Sequence, residues 1–150
     1  MIEVSKTGKT CPTGELVGVR NLAEGKIPAL SCEGACTRGE IARLAANLVA
    51  KEGPYRRGCQ ELFTVPGSAL VRWIKKAGKI VLIDGCFLRC HGRVLENLVG
   101  KEGLVQFDAL SFYGKYTDRF DIDSVPEAER TETARQVADM VLAELQAAPN

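Results

Sequence analysis

A chain of 150 residues that is 45% apolar and carries a formal net charge of +1 has enough material for one well-filled core, and lacks the basic excess of nucleic-acid and membrane-surface binders. No run of about 18 apolar residues is present to span a bilayer, and Met1 to Thr7 has no apolar stretch of the secretory kind, so the expected compartment is the reducing cytoplasm. In that compartment six cysteines are better explained by metal binding or thiol chemistry than by disulfides.

Residues 1–26, rich in Gly, Lys and Thr, are expected to be a poorly defined N-terminal segment, with Cys11-Pro12-Thr13-Gly14 as a turn and Leu16-Val17-Gly18-Val19 as a weak strand or loop. Cys11 has no second ligand near it and reads as an incidental thiol. The apolar segment from Ile27 to Ser31 predicts a strand, leading into a glycine-containing loop from Cys32 to Glu40. Ile41, Leu44, Ala45, Leu48 and Val49 then recur at helical spacing until Gly53-Pro54 breaks the pattern.

Tyr55 to Thr64 holds Cys59 in or beside a short second strand, after Arg56 and Arg57. Pro66 is expected to open a helix with Leu70, Trp73, Ile74 and Ala77 on one face and Gly78 as its stop. Ile80 to Ile83 predicts a buried strand that ends at Asp84-Gly85, a pair suited to a tight turn. A helix should follow, with Leu88, Leu95, Leu98 and Val99 inward and Gly100 as its end, and Gly103 to Leu110 reads as a fourth strand. Residues 111–123 carry four aromatics with no clean period and read as a surface loop or an extra edge strand. Ser124-Val125-Pro126-Glu127 has the form of a capping box that opens a final helix to residue 147, striped by Val137, Val141 and Leu145.

Strands alternating with helices predict an α/β fold: a single three-layer domain over residues 1–150, with a mostly parallel sheet of four to five strands and helices on both faces. The kind expected is doubly wound, Rossmann- or flavodoxin-like. Such sheets bind ligands beyond the carboxyl ends of their strands, where strand order reverses. Cys32, Cys59 and Cys86 each follow a predicted strand end or lie close to one, so neighbouring strands would bring them to a common rim. Cys86 and Cys90 are four apart; on one helix both sulfurs would share the face of its first turn, where the helix dipole favours thiolate.

The string Ile83-Asp84-Gly85-Cys86, the following Arg89-Cys90, the earlier Ser31-Cys32-Glu33-Gly34 and Cys59 between them resemble the DGC-domain family, from roughly Pro28 to Gly100. Its members are held to bind zinc through four recurrent cysteines and have no established activity. The resemblance implies Cys32, Cys59, Cys86 and Cys90 as zinc ligands, with Cys36 and Cys11 outside the pattern. Zinc favours thiolates at about 2.3 Å, and four of them leave no open position for a hydrolytic water, so such a site would be structural or a carrier. Cys36 is a candidate fifth ligand or a resolving thiol. His91 is a further candidate, although on a helix it points about 100° from Cys90 and is expected to face solvent. The same cysteines could hold an iron–sulfur cluster. Asp84 reads as a turn former or as an acceptor orienting a ligand.

A different chemistry is also open. Cys32 and Arg38 are separated by five residues between a strand and a helix, the arrangement of a phosphatase or arsenate reductase in which Cys32 attacks and Arg38 clamps the oxyanion. Glu33 beside the thiol and the single glycine before Arg38 weigh against it. The cations Arg56, Arg57, Arg72, Lys75 and Lys76 are expected on solvated faces, and Trp73, Phe63, Phe87 and Phe107 in the core.

Overall fold

Strand β1 (Ile27–Ser31) is flanked by β2 (Tyr55–Arg57) on one side and β3 (Ile80–Asp84) on the other, with β4 (Leu104–Asp108) beyond β3. All three pairings are parallel, so the sheet has the order β2-β1-β3-β4. The structure is a computed structural model that describes residues 3–148.

The inner strands are buried on both faces, and their alternation divides the core in two. Ala29, Val81 and Ile83 point to a layer built with α2 (Thr37–Val49) and α7 (Glu127–Ala147). Leu30, Ile80 and Leu82 point the opposite way, to Leu62 of α3 (Glu61–Thr64), Leu70, Trp73 and Ile74 of α4 (Ala69–Lys76), and Leu95 of α5 (Cys90–Val99). This is the expected α/β arrangement, with four strands and helices on both faces.

Several local expectations are corrected. Leu16 to Val19 lie in helix α1 (Pro12–Ala23), not in a strand or loop. Its start is fixed by Pro12 in the first turn and by Cys11, whose Sγ accepts the Gly14 N–H at 3.4 Å. Cys11 thus caps a helix where a turn was expected. The helix buries Gly14, Gly18 and Asn21 while Leu16 is 75% exposed, so its inward face has no apolar period. Gly18 is there because a Cβ would stand 2.3 Å from backbone atoms of Ala69 and Leu70.

The helix expected from Pro66 starts instead at Ala69, capped by Ser68, whose Oγ accepts from Val71 N at 3.1 Å. The Ser124 capping box does not form: the Ser124 hydroxyl donates to Asp121 O in a 3-10 turn, and α7 begins after Pro126 with no side-chain cap. Residues 111–123 form no edge strand: after the end of α6 (Leu110–Tyr113) they run as a largely exposed loop, the other reading of this stretch, into that turn. Phe87, Leu88 and Leu98 are exposed, not core, because α5 starts only at Cys90 and turns Leu95 alone fully inward.

Candidate functional site

The chain leaves β1 for β2 on one side and reaches β3 on the other, so strand order reverses between β1 and β3, and the crevice lies past their carboxyl ends. Cys32 stands at this point, its N–H bonded to Ile83 O at 3.0 Å. Its sulfur accepts from Gly34 N at 3.3 Å. Burial pushes the Cys32 thiol up, the backbone N–H groups of Gly34 and Gly85 pull it down, and Asp84 and Cys36 push it up again; the net direction is upward.

The Asp-Gly-Cys segment is explained residue by residue. Asp84 is fully buried at the end of β3, and its carboxylate oxygens accept the N–H groups of His91 and Gly92, each at 3.2 Å. It therefore caps the start of α5 from a neighbouring strand, in place of the expected local turn bond. Burial raises its pKa against those two bonds. Gly85 lies against the first turn of α2, where a Cβ would meet Arg38 C and O and Gly39 N at 3.0 Å. Cys86 then sits half-buried in a loop, followed by exposed Phe87 and Leu88 and by Arg89 in the left-handed region at φ 47°. Cys86 is thus outside the helix whose first residue is Cys90, and the shared helical face expected for the two thiols does not exist.

A second set of groups surrounds a cavity of ≈ 130 Å³ past β1 and β2, lined by Arg57, Cys59, Gln60, Phe63 and His91 among others. His91 is half-buried here rather than solvent-facing: its Nε2 lies 3.0 Å from Gln60 Nε2 and its ring meets the Phe63 edge at a 5.7 Å centroid distance. Arg57, expected in solvent, bonds Ala29 O and Ser31 Oγ at 3.1 Å each and pairs with Glu33 at 3.3 Å. Burial lowers its pKa and Glu33 opposes that. Cys59 is exposed, its Sγ accepting from Glu61 N at 3.4 Å, and Cys90 is exposed as well. Cys36 is half-buried at the cap position of α2 without capping it.

The predicted ligands thus follow the carboxyl ends of β1, β2 and β3, with Cys32, Cys59 and Cys86 on loops and Cys90 at the start of α5. Among the described residues no three His, Cys, Asp or Glu side chains stand together so as to hold a metal ion. The donor chemistry suits a soft divalent cation; the donor spacing, with the loops as they stand, does not. The loop from Cys32 to Arg38 does run from β1 to the first turn of α2, as the oxyanion alternative expects. That turn, however, is already engaged, with Thr37 N–H on Phe120 O and Thr37 Oγ1 on Asp121 O, both at 3.1 Å. The raised Cys32 thiol runs against nucleophilic attack too. Among the described residues no helix is long and apolar enough to cross a membrane.

The fold defines a parallel α/β domain with Cys32 at its topological switch point. The DGC domain matches residues 29–125, well over half of the chain, and the chain belongs to the DGC-domain family. No curated protein and no solved structure matches it.

Proposed function

We propose that this DGC-domain protein binds a zinc ion through Cys32, Cys59, Cys86 and Cys90, and serves metal handling, metal sensing or structural anchoring rather than hydrolysis. One arrangement carries the reading: the four thiols sit on loops, or on a helix start, past the carboxyl ends of three adjacent strands. The loops must draw together for the thiolates to share an ion, which makes binding conformationally coupled. Exposure of Cys59 and Cys90 leaves those two thiols accessible for that movement.

Elemental analysis and an absorption spectrum of freshly purified, untagged protein test the proposal. About one equivalent of zinc in a colourless protein, lost on simultaneous Ser substitution of the four cysteines, is the expected result. A brown protein containing iron and sulfide would replace zinc by a cluster on the same cysteines. Stoichiometric metal in the quadruple variant, or metal-free wild type after growth in zinc-supplemented medium, would overturn the reading.

A further inference from the structure

The cavity of ≈ 130 Å³ past β1 and β2 is lined by an ion pair, Arg57 and Glu33, that is held in place yet not fully used. Glu33 Oε1 accepts from Arg57 at 3.3 Å and from the Ser31 hydroxyl at 3.0 Å, while Arg57 also donates to Ser31 Oγ and Ala29 O at 3.1 Å each. Ser31 is 2% exposed, so a buried hydroxyl locks the two charges side by side. Among the described residues, Glu33 Oε2 and Arg57 Nε make no hydrogen bond. Neither side chain is shut in: that of Arg57 is 28% exposed and that of Glu33 37%. Leu30 and Phe63 supply an apolar wall to the same cavity.

An ion pair this open to solvent adds little to stability, so its place on a cavity wall calls for another reason. Adjacent unlike charges on the wall complement adjacent unlike charges on a ligand, and the α-ammonium and α-carboxylate of a free amino acid are such a pair on one carbon. We infer that the cavity binds a small free α-amino acid as its zwitterion. Its carboxylate accepts from Arg57, its ammonium donates to Glu33 Oε2, and its side chain lies against Leu30 and Phe63. The volume falls below the about 300–1,000 Å³ of pockets for drug-sized ligands, which restricts the side chain to a small one. A carboxylate with no ammonium would bring its charge beside Glu33 without compensation, and an amine with no carboxylate would do the same beside Arg57. Neither Glu33 nor Arg57 is a proposed zinc ligand, and the inference does not rest on the metal.

The test is a calorimetric titration of the full chain with L-alanine at neutral pH, with a chelator present so that metal–amino acid complexes add no heat. Propionate, which lacks the ammonium, ethylamine, which lacks the carboxylate, and tryptophan, whose side chain overfills the cavity, are titrated in parallel. Saturable alanine binding at about one equivalent, with each of the other three at least about tenfold weaker, is the expected result. Glu33→Gln should weaken alanine several-fold and narrow its lead over propionate, and Arg57→Gln should abolish binding. Arg57 also ties the ends of β1 and β2 together, but the wild-type comparison of the four compounds needs no variant, so a misfolded Arg57→Gln leaves the test intact. Absence of saturable alanine binding, as expected if the pair is filled by water alone, would overturn the inference. So would propionate, ethylamine or tryptophan binding as tightly as alanine, or unchanged alanine affinity in folded Glu33→Gln.

Discussion

Asp84 and Gly92 are fitted to one another: the Asp84 Oδ2 accepts the Gly92 N–H at 3.2 Å, and a Cβ on Gly92 would lie 2.9 Å from that oxygen and 2.4 Å from Gln106 Oε1. The carboxylate reaches the α5 start only because residue 92 has no side chain. Asp84→Ala leaves two buried N–H groups short of an acceptor and should destabilise the fold by roughly 1–3 kcal/mol. Gly92→Ala forces the same contact apart and should cost a similar amount, about 1–3 kcal/mol. Urea denaturation of both single variants and the double variant checks this. The double loss should fall short of the sum, since both changes break one contact.

Thiol reactivity should be ordered by environment. Burial holds the Cys32 thiol above its ordinary pKa, whereas Cys59 and Cys90 are exposed. At neutral pH, metal-free protein treated briefly with iodoacetamide should be alkylated at Cys59 and Cys90 several-fold faster than at Cys32. Peptide mass spectrometry reads the order, and Cys32 reacting first would show that it is a primed nucleophile after all.

The buried Tyr113 phenol sets a limit at alkaline pH. Its folded pKa is raised, chiefly by burial, above the unfolded value near 10, so the folded state keeps a proton that the unfolded state gives up. Its contribution to stability is therefore complete below about pH 10 and is lost as pH climbs beyond that. Stability measured from pH 8 to 11 should decline more steeply in wild type than in Tyr113→Phe. Tyr55 and Cys32, each raised in the same direction chiefly by burial, contribute to the slope that remains.

The approach of two loops gives a further prediction. A Cβ on Gly39 would lie 2.5 Å from Gly34 O, a backbone atom with nowhere to retreat while the Cys32 loop keeps its form. Gly39→Ala should displace that loop and change the Cys32 alkylation rate, alongside a stability loss of about 1–3 kcal/mol. An unchanged rate in a folded variant would show that the loop tolerates the displacement.

What the sequence revealed and what it hid follow from the same physics. β3 was legible because both its faces are buried, which leaves an unbroken apolar run, and Cys32, Cys59 and Cys86 could be assigned to strand ends because the strands themselves could. Helix α1 has no apolar signature because its buried positions are two glycines and an asparagine, with Gly18 against the α4 backbone and Gly14 against the Glu61 side chain of α3. The Cys86 position departs from the helical expectation because the loop past Gly85 runs through Phe87, Leu88 and a left-handed Arg89 before any helix begins.

The thiol rim is tested most directly by titrating reduced, metal-free protein with cobalt(II) and recording its visible and near-ultraviolet absorption. The account predicts intense ligand-field bands of a tetrahedral ion, with sulfur-to-cobalt charge transfer, saturating at about one equivalent and displaced by zinc. A weak spectrum typical of oxygen-bound octahedral cobalt, or an unchanged thiolate spectrum after Cys32, Cys59, Cys86 and Cys90 are all replaced by serine, would contradict it.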